Sequence, residues 1–281
     1  MPAFTAKPHS PALAALVKSF HYHETDLPFA LERIMPNGQA HLMVNLGENE
    51  FRTYDPACAA RLQCHTAAVL SGPRAQPAIL DTREQRLLVA VEFRLGAAGQ
   101  FFSVPMSEVA NRTVSLEDLW ARDGALLRER LLDAPTPALK FHLLEEALLR
   151  HLRPDAHRGP DSGSVLGFDP AIRYAISALE AGLSVLQVAD RLGQSSRTFT
   201  RRFSAQVGIT PRRFARVRRL QRVLRAARRT AIPDWSALAV QHGFTDQPHL
   251  VHDFRDLAGI TPSAYKPHSP RRNNHVPIAA G

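Results

Sequence analysis

The sequence predicts a two-domain protein, in which a β-rich N-terminal domain with trailing helices is followed by an all-α C-terminal domain. The first 115 residues contain short apolar runs separated by turn signals, whereas from residue 116 onward apolar residues recur at helical three- and four-residue spacing. A helix-turn-helix-like segment also occurs twice in the C-terminal half. A chain of 281 residues is long enough to give each of two domains its own core.

The N-terminal domain is expected to span residues 1–152 and to form a small sandwich or cupin-like barrel. Short apolar runs are separated by turn signals, for example at residues 36–38 and 72–73. Residues 89–95 alternate apolar and polar side chains, which is typical of a half-buried strand. Residues 138–152 instead carry leucines at helical spacing, which predicts a helix after the strands.

A linker and a tail are expected on either side of the C-terminal domain. Residues 153–167 are rich in Pro, Gly, Ser and Asp, a composition typical of an exposed linker. We therefore place the C-terminal domain at residues 168–267 and a flexible tail at 268–281.

The C-terminal domain contains two copies of one helical unit, around residues 186–214 and 236–265. A shift of 51 positions aligns the two copies, and Ile-Thr-Pro recurs at 209–211 and 260–262. Four further pairs align: Phe199 with Leu250, Phe203 with Phe254, Gly208 with Gly259, and Phe214 with Tyr265. Each copy predicts a supporting helix, a tight turn and a recognition helix, the arrangement that enters a major groove.

The positive charge lies in the C-terminal half. Residues 166–281 carry 18 Lys and Arg against 7 Asp and Glu, whereas residues 1–165 carry 17 against 19. Residues 191–233 contain thirteen Arg and no acid. Because the sign is uniform in this helical region, the pattern favours a polyanionic partner, and the fold favours double-stranded DNA over a membrane surface.

The predicted recognition helices present different surfaces. If the aromatic anchors face inward, the first helix exposes Arg197, Thr200, Arg201 and Ser204, and an Arg can read a guanine edge through two hydrogen bonds. The second helix exposes fewer charges. We expect base reading by Arg197, Thr200, Arg201, His249 and His252, and phosphate contact or positioning by Ser195, Ser204, Gln247 and Pro248. The long Arg-rich helix between the units should hold them apart, with Arg218 and Arg222 as candidates for the DNA backbone.

These motifs resemble the AraC-type family of bacterial transcription regulators. The first motif runs from Val188-Ala189 through Leu192-Gly193 to Gly208-Ile209-Thr210-Pro211, and the second runs from Gly243-Phe244 to Gly259-Ile260-Thr261-Pro262 and Tyr265. The resemblance covers about residues 168–267 and implies base contacts at the first-helix positions Arg197, Thr200 and Arg201. In the second helix it implies Pro248, His249 and His252, although a basic or amide residue is usual where His252 stands.

The N-terminal half resembles the poorly characterised N-terminal domains of one AraC-like subgroup. The residues concerned are Pro36-Asn37-Gly38, the following HLMVNLG segment and residues 116–120. This resemblance implies a domain that senses an unknown small-molecule effector or dimerises. Promoter DNA is the expected partner, while RNA polymerase and a second copy of the chain remain open, as does activation versus repression.

Enzymatic readings are weaker, so no activity and no cofactor are expected. A metal-binding cupin would need a set of His and Glu, but His21 and His23 are followed by no matching set, and His41 and His65 stand alone. A methyl-accepting repair protein would need a reactive Cys, but Cys58 and Cys64 lie in no nucleophile motif. A generic architectural DNA binder is the remaining alternative.

The sequence contains no pattern of export or membrane insertion. The N-terminal segment does not resemble a signal peptide, and no apolar stretch approaches the roughly 20 residues that span a bilayer. Two cysteines do not make a disulfide framework. These features predict a cytoplasmic protein.

Overall fold

A computed structural model describes residues 3–55, 58–83, 85–153, 169–230, 232–269 and 272–278. A β-rich domain built from two sheets is followed by a helical domain, as predicted. Of the predicted linker 153–167, only Arg153 lies among the described residues. Within the described ranges, no helix is both long enough and apolar enough to cross a membrane.

Two antiparallel sheets form the N-terminal domain. The first has the strand order β1-β2-β9-β4-β7-β10 and the second β11-β3-β8-β5-β6. The strands are β1 Ala3–Ala6, β2 Val17–Glu24, β3 Leu31–Ile34, β4 His41–Asn45, β5 Glu50–Asp55, β6 Cys58–Thr66, β7 Ala68–Ser71, β8 Ala78–Asp81, β9 Leu87–Phe93, β10 Thr113–Ser115 and β11 His275–Ile278.

The alternation of strand β9 buries one side of the sheet. Val89, Val91 and Phe93 are fully buried, which confirms the half-buried strand expected at this position. Phe93 packs against Phe101, with ring centroids 5.2 Å apart. The core of the β domain therefore rests on this face.

Helices follow the strands and then form the whole C-terminal domain. Their bounds are α1 Pro11–Ala14, α2 Leu116–Trp120, α3 Arg122–Asp133, α4 Pro137–His151, α5 Pro170–Glu180, α6 Val185–Arg191, α7 Ser196–Val207, α8 Pro211–Ala227, α9 Trp235–Gln241 and α10 Gln247–Ala258. Helix α8 buries an apolar stripe made by Phe214, Val217, Leu220, Leu224 and Ala227.

The end of the chain differs from the expected flexible tail. Strand β11 pairs antiparallel with β3, so that a segment beyond the helical domain completes an edge of the second sheet. Val276 is buried, and the Met35 amide donates to Asn274 O at 2.8 Å. The sequence did not predict this strand because four residues interrupted by Pro277 give almost no periodic signal.

The two domains are in direct contact. Gln221 on α8 donates to Pro36 O at 2.8 Å and to Asn274 Oδ1 at 2.9 Å. Arg218 on the same helix donates to Asn37 O at 3.0 Å. Helix α8 is thus bonded both to the β domain and to the returning C-terminal segment.

Candidate nucleic-acid interface

The first helix-turn-helix unit is made by α6 and α7. Ser184 and Gln187 form a reciprocal capping box at the start of α6, as the sequence predicted. Gly193 adopts a φ of 62° in the turn, a conformation that glycine takes without a steric penalty. Ser195 then caps α7, because its hydroxyl accepts from the Thr198 amide at 3.2 Å.

Buried aromatic rings fix the orientation of α7. Phe199 and Phe203 are completely buried, with ring centroids 5.6 Å apart. Arg197 and Arg201 consequently lie on the exposed side, and Thr200 is partly exposed. The neighbouring Arg202 is turned away from this pair and forms an ion pair with Asp169 at 2.6 Å. The first unit therefore presents two exposed guanidinium groups.

The two serines expected to contact phosphate differ in position. Ser195 lies at the exposed start of α7, where its hydroxyl is already used as the helix cap. The Ser204 hydroxyl is buried and does not face outward as expected. The reason is that the C-terminal end of α7 faces the β domain, where the Met106 amide donates to Ala205 O at 2.8 Å.

The second unit is made by α9 and α10 and has a less charged face. Asp246 caps α10 by accepting from the His249 amide at 2.8 Å. Gln247, Pro248 and His252 are exposed, whereas His249 is only partly exposed and packs with its ring centroid 5.2 Å from that of Phe244. Leu250 and Phe254 are fully buried, which confirms the predicted inward side.

Helix α8 does not present its arginines as a free cationic surface. Arg218 donates to Glu180 Oε1 at 2.6 Å, and Arg222 donates to Glu180 O at 2.8 Å. Arg213 forms an ion pair with Asp256 at 2.7 Å. Arg218 and Arg222, expected to contact the DNA backbone, are thus both bonded to Glu180, a residue distant in sequence that the fold brings beside α8.

Asp253 is the main internal partner of α8. It is 4% exposed and accepts from Arg216 at 2.7 Å and from Arg219 at 2.9 Å. Burial alone would raise its pKa, but the hydrogen bonds from Arg216 and Arg219 hold the pKa below its usual value. Asp253 thus stays charged and ties the second recognition helix to α8. The sequence alone did not indicate this contact, because Asp253 is 37 residues from Arg216 and 34 from Arg219.

A cavity of about 770 Å³ lies apart from the recognition helices. Its wall combines side chains of both sheets with Glu180, Arg218 and Arg225 of the helical domain. The C-terminal segment contributes Arg272 and His275. The cavity therefore lies where the β domain, helices α5 and α8 and the returning chain meet.

Several ionisable side chains meet in this cavity, among them His41, which stands alone in the sequence. His41 pairs in register with Glu92 on the neighbouring strand, and His21 Nε2 lies 3.5 Å from Glu92 Oε2. Burial would raise the pKa of Glu92, but hydrogen bonds from His21 and Lys18 hold it well below its usual range. Among the described residues, no group of three or more His, Cys, Asp or Glu is arranged to hold a metal ion.

Two family models match separate parts of the chain. A family described as a helix-turn-helix domain, HTH_18, matches residues 188–268. A domain of unknown function, DUF6597, matches residues 5–115. No curated protein matches the sequence.

Solved structures that are similar to this chain include ToxT from Vibrio cholerae, with 10% sequence identity and a TM-score of 0.45. The match covers 94% of this chain and 97% of ToxT. An AraC-type regulator from Chromobacterium violaceum is 26% identical over 37% of this chain and 89% of that one, with a TM-score of 0.30. The C-terminal domain of AraT from Geobacillus stearothermophilus is 20% identical over 34% and 82%, with a TM-score of 0.31.

One family match lies in the β-rich domain and the other in the helical domain. The HTH_18 match contains both recognition helices, and the DUF6597 match contains strands β2 to β10 and the end of β1. The chain therefore carries an AraC-type helix-turn-helix domain of the HTH_18 family, preceded by a DUF6597 domain.

Proposed function

We propose that this chain is a sequence-specific regulator that reads promoter DNA mainly through α7 and is controlled by a molecule bound in the cavity of the β domain. One observation carries the first part. Most arginines of α8 are engaged internally, whereas Arg197 and Arg201 are exposed and form no hydrogen bond or ion pair with the described residues. These two guanidinium groups are available for base edges.

The second helix contributes positioning. Gln247 and Pro248 lie at the exposed N-terminal end of α10, where free backbone amides favour a phosphate. His252 is exposed on the next turn and can reach the same groove. Because Gln247, Pro248, His249 and His252 themselves carry no guanidinium, and Arg255 lies towards the C-terminal end of α10, the share of this helix in sequence discrimination is the smaller one.

Selection of binding sites from random duplex DNA tests this function. The selected site should bind at least about a thousandfold more tightly than random DNA at one fixed salt concentration. Replacing Arg201 with Ala should remove most of the preference at one base pair, with Arg229→Ala as a matched exposed control. Equal affinity of the wild-type chain for selected and random DNA would favour an architectural binder instead.

The cavity supports the regulatory part of the proposal. Its wall includes side chains from both domains, so a bound molecule contacts the elements on which the helical domain rests. Such a molecule changes DNA affinity only if it binds the DNA-competent and incompetent states differently. Thermal-shift screening followed by operator titrations tests this. Ligands that stabilise the protein without changing operator affinity would contradict regulation through the cavity.

A further inference from the structure

The segment that links strand β7 to strand β8, residues 72–77, contacts both helix-turn-helix units; we refer to it as the connector. It passes from one sheet to the other, since β7 and β8 belong to different sheets. The connector is buried or half-buried, except at Gln76. Asn111 holds it from the β domain by accepting from the Ala75 amide at 2.7 Å and from the Gln76 amide at 3.1 Å.

At its first end the connector contacts the first Gly-Ile-Thr-Pro turn. A methyl group on Gly208 would lie only 2.7 Å from Pro73 Cγ, so the turn and the proline are in close contact. Gly208 has a φ of 93°, which also requires glycine. Further along, Ala75 O accepts from Arg213 at 3.1 Å. The connector is therefore fixed to the start of α8.

At its other end the connector contacts the second Gly-Ile-Thr-Pro turn. A methyl group on Gly259 would lie 3.7 Å from Pro77 Cγ and 2.9 Å from Arg33 Nη1. Arg33 also donates to Ala258 O at 3.4 Å. Gly208 and Gly259 occupy equivalent positions of the repeat, so one segment of the β domain meets both units at the same turn.

The connector also contributes Arg74 to the cavity wall. Its guanidinium donates to Ser71 Oγ at 3.2 Å, Asn111 O at 3.2 Å and Thr113 Oγ1 at 2.8 Å, all of which are neutral oxygens. The three carboxylates that line the cavity have other partners, since Glu92 is bonded to Lys18, Glu180 to Arg218 and Glu32 to His275. Desolvation lowers the pKa of Arg74 to about 10, so that it remains charged at neutral pH.

We propose that the connector couples the cavity to both helix-turn-helix units. The ligand of the cavity is then an anion, either a carboxylate or a phosphate, that pairs with Arg74. A charge-assisted bond to an anion supplies the counter-charge that the neutral oxygens lack. The connector is then held more firmly, and so are the two turns that rest on Pro73 and Pro77. This inference rests on the proposed regulatory function and names the ligand class and the route.

The same geometry gives the direction of the effect. Although the β domain contacts the helical domain, Arg197, Arg201 and His252 are all exposed, so both recognition faces are accessible. Holding the two turns on one segment fixes the separation of the recognition helices before DNA is bound. Preorganisation of this kind lowers the cost of ordering on association. Anion binding should therefore raise operator affinity.

An internal carboxylate tests the inference in the full chain without a known ligand. Thr113→Glu places an acid beside the Arg74 guanidinium, and Thr113→Gln is its neutral control. Amide hydrogen exchange should slow by about fivefold or more at both turns, residues 208–210 and 259–261, in the Glu variant but not in the Gln variant. Operator affinity should rise by a similar factor. Ser71→Asp with its control Ser71→Asn provides a second pair if the first does not fold.

Two outcomes would overturn the coupling: equal exchange in the Glu and Gln variants, or slowing at only one turn. The ligand class has its own test, in which acetate, benzoate and inorganic phosphate are titrated and the melting temperature is measured. At least one should stabilise the wild-type protein and lose that effect in Arg74→Gln. If none does, the anion assignment is wrong. Wild-type selectivity for operator DNA, measured alongside, separates these failures from failure of the proposed function.

Discussion

Arg216 on α8 donates to Asp253 on α10 at 2.7 Å, and this bond joins the helix between the two units to the second recognition helix. Arg219 completes the arrangement from the next turn of α8, at 2.9 Å. The Arg219 guanidinium also lies over the Phe244 ring, 4.3 Å from its centroid. The orientation of α10 therefore depends on a carboxylate that is 4% exposed.

Asp253→Asn should destabilise the protein by about 2–3 kcal/mol, because two partly buried guanidinium groups lose their shared counter-charge. Asp256→Asn is the matched control. Its carboxylate also contacts Arg216, but it is 40% exposed, and we expect a loss below about 1 kcal/mol. Urea unfolding of both variants measures the difference. Similar losses of unfolding free energy in the two variants would show that burial of Asp253 does not strengthen its contribution to stability.

Arg218→Ala should leave the salt dependence of DNA binding unchanged, since the Arg218 guanidinium is already bonded to Glu180 and Asn37. Each phosphate contact that is lost lowers the slope of log K against log salt by about 0.9. Arg201→Ala should reduce base discrimination by about 1–3 kcal/mol if Arg201 reads a base edge. A smaller magnitude of the salt slope would instead show that Arg201 contacts a phosphate. Titrations at four salt concentrations distinguish the two variants. A lower slope for Arg218→Ala would place this arginine on the DNA.

His252→Ala should weaken selected and random DNA about equally, because the His252 side chain has no guanidinium with which to make a two-pronged bond to a guanine. The expected loss is below about 1 kcal/mol, smaller than the loss of discrimination for Arg201→Ala. Binding of both variants to one selected site and one scrambled site gives the comparison. A loss confined to the selected site would assign base reading to α10 as well.

Stability should fall as the pH drops from about 6.5 to 4, partly because of His41. Burial lowers the pKa of His41 to about 4, although Glu92 acts in the opposite direction. An unfolded histidine with a pKa near 6.5 therefore binds its proton first, so the contribution is complete above pH 6.5 and is lost toward pH 4. His41→Gln should reduce the dependence by about 1–2 kcal/mol over this range. Urea unfolding at pH 7, 6, 5 and 4.5 measures it, and parallel curves for the two proteins would contradict this assignment.

The anchors of the repeat could be predicted because they follow a local period. Phe199, Phe203, Leu250 and Phe254 recur at four-residue spacing, and burial of all four defines the outward side of each recognition helix. For the same reason, the alternation at residues 89–95 predicted a strand, which the structure has at residues 87–93. Features that depend on spacing along one helix or strand can be read directly from the sequence.

Contacts between distant segments could not be predicted in this way. The absence of any acid within residues 191–233 predicts that the Arg-rich helix contacts DNA. Its partners Glu180, Asp253 and Asp256 lie just outside that range, and only folding brings them to α8. The meeting of His21, His41 and Glu92 likewise depends on sheet register, which the turns and strand order determine.

Strand β11 also has a consequence for how the protein is made. The second sheet needs residues 275–278 to complete the edge beside β3, yet these residues are the last to leave the ribosome among those that the structure describes. Domains usually fold in the order of synthesis, beginning at the N-terminus. Here the first domain synthesised cannot finish its sheet until the second has been translated, so a nascent chain stalled before residue 275 would expose β3 as an unpaired edge.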